Sequence, residues 1–112
     1  DMQEFVNPLA ELGDKVTKLS TELGMKAMGN ADEVGAAAVD YLRVCGHLVF
    51  AYFFARMAKV ALEKQGSGDP FYAAKLHTAR FYFAKLLPET AGLIRSARTG
   101  LAPLMAMDES MF

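Results

Sequence analysis

Cysteine is almost missing from this 112-residue chain, with Cys45 the only one. A single thiol excludes a disulfide framework, a zinc-finger spacing and a paired redox centre. Cys45 precedes Gly46 inside an apolar stretch, where a small buried residue is expected rather than a reactive thiol. Histidine is nearly as scarce, at His47 and His77. Neither has a carboxylate three or four positions away, whereas a helical metal site needs several ligands converging from one face. Each is expected to be a partly buried histidine bonded to a neighbour. Charge of one sign is also lacking: 12 basic and 13 acidic residues leave a net −1. A chain so balanced offers no electrostatic footprint for nucleic acid. No run alternates apolar and polar residues with β-branched side chains, and no Asn-Gly turn joins two such runs, which speaks against strands. There is no Gly-x-Gly-x-x-Gly, no Gly-x-Ser-x-Gly and no paired-acid constellation. Gly66-Ser67-Gly68 lacks the Gly-Lys-Ser/Thr ending of a phosphate loop and suits an interhelical turn.

What is present is apolar. Hydrophobic residues make up 53% of the chain, too many for disorder. At 12.2 kDa the folded surface should be roughly 6,000 Å², about a third of what the extended chain exposes. That suffices for one domain with one core over residues 1–112 and is too little for a two-domain nucleotide enzyme. The chain starts at Asp1, and no charged-then-apolar leader is visible. It reads as a fragment of a longer, cytoplasmic protein.

Helix signals dominate. Asn7-Pro8 predicts a helix over about 8–28, because Asn can cap and proline suits a first turn whose N–H groups lack partners. Phe5, Leu9, Leu12, Val16, Leu19 and Leu23 recur at steps of four and three, one apolar stripe. The other side carries Glu11→Lys15, Asp14→Lys18 and Glu22→Lys26 in the favourable acid-first order. Asp32 is the expected cap of a second helix over about 32–65, about 51 Å long. Asp69-Pro70 opens a third over about 70–100. Its stripe is Tyr72, Leu76, Ala79, Phe83, Leu86, Thr90, Leu93 and Ala97. Pro88 lies inside that pattern, so the third helix is expected to kink or split there. The fold class is therefore all-α, a bundle of three long helices, four if Pro88 divides the last.

The second helix is unusual. Ala37, Tyr41, Val44, Leu48, Ala51, Ala55, Ala58 and Leu62 form one alanine-rich seam, yet large apolar residues lie off it. No charge falls anywhere between positions 44 and 55. A helix apolar all round is buried all round, and three helices of this size cannot surround it. Something else should cover Leu48, Val49, Phe50, Phe53, Phe54, Met57 and Phe81, the candidate interface residues. A membrane span is not expected, because the charge-free stretch is 12 residues against the roughly 20 required. Dense aromatics, Phe71, Tyr72 and Tyr82 among them, could line an apolar pocket, although helix packing is their ordinary use. Lys75, Arg80, Lys85, Arg95 and Arg98 could meet a phosphate, although solvated ion pairs are the default.

Two stretches go further. Tyr41-Leu42-Arg43-Val44-Cys45-Gly46-His47-Leu48-Val49 is one. The other runs Phe71-Tyr72-Ala73-Ala74-Lys75-Leu76, then Ala79-Arg80-Phe81-Tyr82-Phe83-Ala84, to Leu87-Pro88-Glu89. Together they resemble the extra C-terminal domain of bacterial acyl-CoA dehydrogenases, the acetyl-CoA dehydrogenase-like group that includes the methylmercaptopropionyl-CoA dehydrogenases. The resemblance covers nearly the whole chain and is densest over residues 41–89. It implies a parent flavoenzyme of fatty acid metabolism that uses FAD. In such an enzyme a glutamate removes the α-proton of an acyl-CoA thioester and the flavin N5 accepts the β-hydride. Those groups belong to the body that precedes this domain. None of Glu63, Glu89 or Glu109 matches the catalytic glutamate's motif, so no catalytic, cofactor-binding or metal residue is assigned here.

The expected function is that of an accessory or assembly domain, docked on the dehydrogenase body or across a subunit boundary of an oligomer. The alternative is a free-standing helical module that dimerises or holds an apolar ligand. A metal-dependent bundle enzyme is a third class, which metal in the purified protein would reveal.

Overall fold

The computed structural model describes residues 1–112. It is all helix with no strand. Helix α1 spans Gln3–Gly29, α2 Asp32–Lys64, α3 Pro70–Phe81, α4 Glu89–Arg98 and the one-turn α5 Ala102–Met105. A π-helical turn, Tyr82–Leu86, joins α3 to α4. Short 3-10 turns lie at Gln65–Ser67 and Glu109–Met111.

α1 begins five residues before Pro8, which lies within it. The reason is tertiary. Phe5 is 1% exposed and meets the Phe83 ring edge-on at 5.4 Å. Glu4 takes both guanidinium bonds of Arg80 at 2.9 Å. These contacts draw one further turn into the helix, and Asp1 accepts the Gln3 N–H. Asp32 is likewise the first helical residue rather than the cap; its N–H donates to the Asn30 side chain at 3.0 Å. At α3 the signature works as the sequence predicts. The Asp69 carboxylate accepts the Phe71 N–H at 2.9 Å, with Pro70 in the first turn. Gly68 makes the preceding turn with φ +86°, a left-handed conformation that costs glycine little.

α2 is the spine. α1 packs along one flank, and α3 followed by α4 along the other. Two connected clusters form the core. One gathers Leu19, Val44, Ala51, Leu87 and Ile94; the other gathers Phe5, Ala58, Leu76 and Ala79. Phe54 and Phe83 touch both. The alanines of α2 let its neighbours approach closely, as its seam predicts: Ala37, Ala51, Ala55 and Ala58 are all buried.

The third helical stretch is bent, not broken. Leu87 N–H donates to Tyr82 C=O at 2.9 Å, a bond spanning five residues instead of four. Pro88 has no N–H, and its ring would press on the carbonyl of a regular turn; the wider turn relieves that pressure. The extra residue shifts the stripe locally. Tyr82, Leu87 and Ile94 are buried where the sequence pattern predicts Phe83, Leu86 and Leu93, and Leu86 is 46% exposed, whereas Thr90 and Ala97 are buried as the pattern predicts.

The molecule is a thin slab of 67 × 29 × 15 Å. Its radius of gyration is 18.5 Å, against about 13 Å for a compact domain of this length. Its surface of 7588 Å² exceeds the roughly 6,000 Å² of a compact chain of this mass by about a quarter.

Candidate docking face and its flanking polar cluster

α2 buries one face and leaves the opposite face bare. Val39 is 79% exposed, Leu42 74%, Val49 52%, Phe53 57% and Val60 46%. These positions lie across the helix from the alanine seam. Exposed apolar side chains scattered singly are ordinary, but a continuous row along one helix marks a contact surface. Of the candidate interface residues, Val49, Phe50, Phe53 and Phe81 are bare. Leu48 and Phe54 turn inward instead. Leu48 packs against the core, and Phe54 stacks on Tyr82 with ring centroids 4.5 Å apart. Met57 is half-buried. Val39, Leu42 and Val60 belong to the bare face too. The signal for them was their spacing: Leu42 lies seven residues before Val49, Val60 seven after Phe53, and Val39 three before Leu42, all on one helix face.

A polar cluster flanks this face where α2 meets the bend. His47 is nearly buried, with its Nε2 2.7 Å from Glu89 Oε2 and its Nδ1 2.8 Å from the Tyr82 hydroxyl. The Tyr82 hydroxyl donates to the His47 carbonyl at 3.1 Å and pairs with Nδ1 as well. Arg43 completes the set, donating to both Glu89 oxygens at 2.8 and 3.1 Å. Hydrogen bonds from His47 and Arg43 hold the Glu89 carboxyl below the usual glutamate range. Burial, aided by the nearby Glu89 charge, pushes the Tyr82 phenol up to about 12. Arg43 and His47 stand four residues apart on one face of α2; the approach of Glu89 and Tyr82 depends on the bend.

An open groove of about 490 Å³ lies over this cluster, with Phe50, Lys85 and Leu86 as its other walls. Both imidazole nitrogens of His47 face partners inside the protein, so neither is free to ligate a metal or relay a proton into the groove. No three His, Cys, Asp or Glu side chains converge anywhere in the structure. The cluster is a clamp between α2 and α4.

Several of the remaining charges are also engaged. Arg80 binds Glu4, and Arg98 binds Glu22 at 2.7 and 3.2 Å. Lys26 donates to the Arg98 carbonyl at 2.8 Å, so the expected Glu22→Lys26 pair gives way to contacts with α4. The Glu11→Lys15 and Asp14→Lys18 pairs do not close either; long exposed side chains gain little from such contacts. Lys75 sits over the Phe71 ring at 5.1 Å. His77 is exposed on α3, and Cys45 packs against the core. Arg43, Arg80 and Arg98 are paired, whereas Lys85 and Arg95 carry no ion pair, and Gly66–Gly68 turns at an exposed helix junction.

α2 with its 3-10 extension is long and apolar enough, by length and composition alone, to cross a membrane. Yet Asp40, Arg43, Arg56 and Lys59 interrupt it, and each would cost about 2.5–3.5 kcal/mol in the hydrocarbon. One face of the helix is moreover covered by α1, α3 and α4 together.

The family model of the acetyl-CoA dehydrogenase C-terminal-like domain matches residues 1–108, and the chain belongs to that family. The family comes from FAD-dependent dehydrogenases. No curated protein matches the chain.

Proposed function

We propose that this member of the acetyl-CoA dehydrogenase C-terminal-like family is the accessory, assembly domain of an FAD-dependent acyl-CoA dehydrogenase-like enzyme. The α,β-dehydrogenation of the acyl-CoA thioester belongs to a flavin-bearing body outside these 112 residues. This domain contributes the surface by which the enzyme is assembled, in the cytoplasm. The observation that carries the reading is the bare apolar face of α2, which lies opposite a fully packed seam on the same helix. A helix apolar on both faces is built to be covered twice. Its own neighbours cover one face, and the enzyme's assembly covers the other. Permanent contacts are the ones with interior-like apolar surfaces.

The test is a double substitution, Leu42→Glu with Phe53→Glu, in the full-length protein. Sedimentation should show a smaller assembly, and dye-coupled dehydrogenation of an acyl-CoA should fall. The thermal melt of the helical domain should stay within a few degrees of the parent. Unchanged size and activity would overturn the reading, as would a reading frame without a dehydrogenase body.

A free-standing module is a second reading, favoured by one groove. About 320 Å³ opens between α1 and α2, walled by Leu23, Ala27, Val34, Ala37 and Tyr41. An apolar ligand held there would quench or shift Tyr41 fluorescence on titration, and a flat titration with fatty acyl chains removes this reading.

A further inference from the structure

We propose that a second copy of this chain covers the bare face of α2, the two α2 helices crossing antiparallel about a two-fold axis level with position 44. The inference rests on the assembly reading and names the partner.

The spacing is the first argument. Asp32, Gly35, Val39, Leu42, Gly46, Val49, Phe53, Arg56 and Val60 follow one another at steps of three and four, all exposed except the half-buried Gly46. That is the seam of a two-helix coiled pair, in which each apolar knob enters a hole on the facing helix. The glycines are the second. A Cβ added at Gly35 or Gly46 would meet nothing within 4 Å. No neighbour inside the fold requires glycine there, although glycine weakens a helix interior. Room for an outside backbone or side chain accounts for both.

Register and direction follow from charge and size. A parallel pair in register would set Arg56 against its own copy, and Glu63 against its own. An antiparallel pair in which position n faces position 88 − n avoids both clashes. Val39 then meets the partner's Val49. Leu42 fills the space over the partner's Gly46, and Phe53 the space over the partner's Gly35. At each end Arg56 meets the partner's Asp32. Neither residue has an ion partner within the fold. Such a contact is isologous and closes on itself. The whole chain exposes on the order of 1,500 Å² more than a compact chain of its mass, and a stable interface takes about 800 Å² from each partner.

The test uses engineered thiols in the full-length protein carrying Cys45→Ala. Val39→Cys and Val49→Cys proteins are oxidised separately and as a mixture, then run on non-reducing gels. The mixture should give a disulfide-linked dimer, and each protein alone should not, because like positions lie about 15 Å apart along the axis. Self-linking of either variant would overturn the antiparallel crossing. No linked dimer in the mixture would overturn the second copy as the occupant. Loss of assembly in the Leu42→Glu, Phe53→Glu protein alongside that negative result would leave the assembly reading standing, with the dehydrogenase body on this face. A linked mixture from a frame lacking that body would keep the dimer and remove the enzyme.

Discussion

Arg98 reaches Glu22 across 76 positions of chain, and Arg80 reaches Glu4 across the same 76. The constant offset means that α1 and the α3–α4 stretch run parallel, in one register, for 18 residues, about five turns. Both pairs bridge the two helices that flank α2, one pair toward each end of the slab.

Acid should loosen these ties. The carboxyls of Glu4, Glu22 and Glu89 are held below the usual glutamate range by hydrogen bonds from Arg80, Arg98 and His47, respectively. A depressed folded-state value adds stability that is present above the unfolded value, about 4.3, and is lost as pH falls through the folded value. The melting temperature should therefore be flat in this respect near neutrality and drop below about pH 4. Glu4→Gln with Glu22→Gln should flatten that drop in a thermal-melt series, and an unchanged acid limb would contradict it.

At the alkaline end Tyr82 acts in the opposite sense. Its phenol is pushed up to about 12 by burial first and by Glu89 second. A raised folded-state value adds stability that is present below the unfolded value, near 10, and is lost as pH rises through the folded one. Tyr82→Phe should remove that alkaline loss while keeping the stack on Phe54. At pH 7 it should cost about 1 kcal/mol, the hydroxyl's hydrogen bonds to His47. Denaturant melts at pH 7 and pH 11 check both parts.

Two substitutions to aspartate on neighbouring turns of α2 should behave differently. Leu48→Asp brings a charge to the edge of the core and should destabilise the domain by several kcal/mol. Phe53 is 57% exposed, so Phe53→Asp should leave the domain's own unfolding within about 0.5 kcal/mol while weakening assembly. Urea melts read the first effect, and sedimentation reads the second.

The two kinds of small residue on α2 also separate. Ala58 is fully buried, and Ala58→Leu should cost about 1–3 kcal/mol or more by overpacking. Gly46→Ala meets no neighbour within 4 Å and should stabilise the isolated fold by about 0.5–1 kcal/mol. A destabilising Gly46→Ala, measured in the dissociated protein, would show that the glycine serves the fold itself.

The sequence alone determined the helical class, the stripe of α1, the alanine seam of α2 and the Asp69-Pro70 start of α3, because each is a matter of periodicity or of capping within one turn. It also determined that α2 carries more apolar surface than its own neighbours can cover. Only the tertiary structure decided which of those residues lie bare, since Leu48 and Val49 are adjacent in the chain and differ by 100° around the helix. It decided the start of α1, where Phe5 and Glu4 find partners on α3. It decided the packing at the bend as well. One five-residue hydrogen bond ahead of Pro88 turns Leu87 inward in place of Leu86 and brings Glu89 to His47.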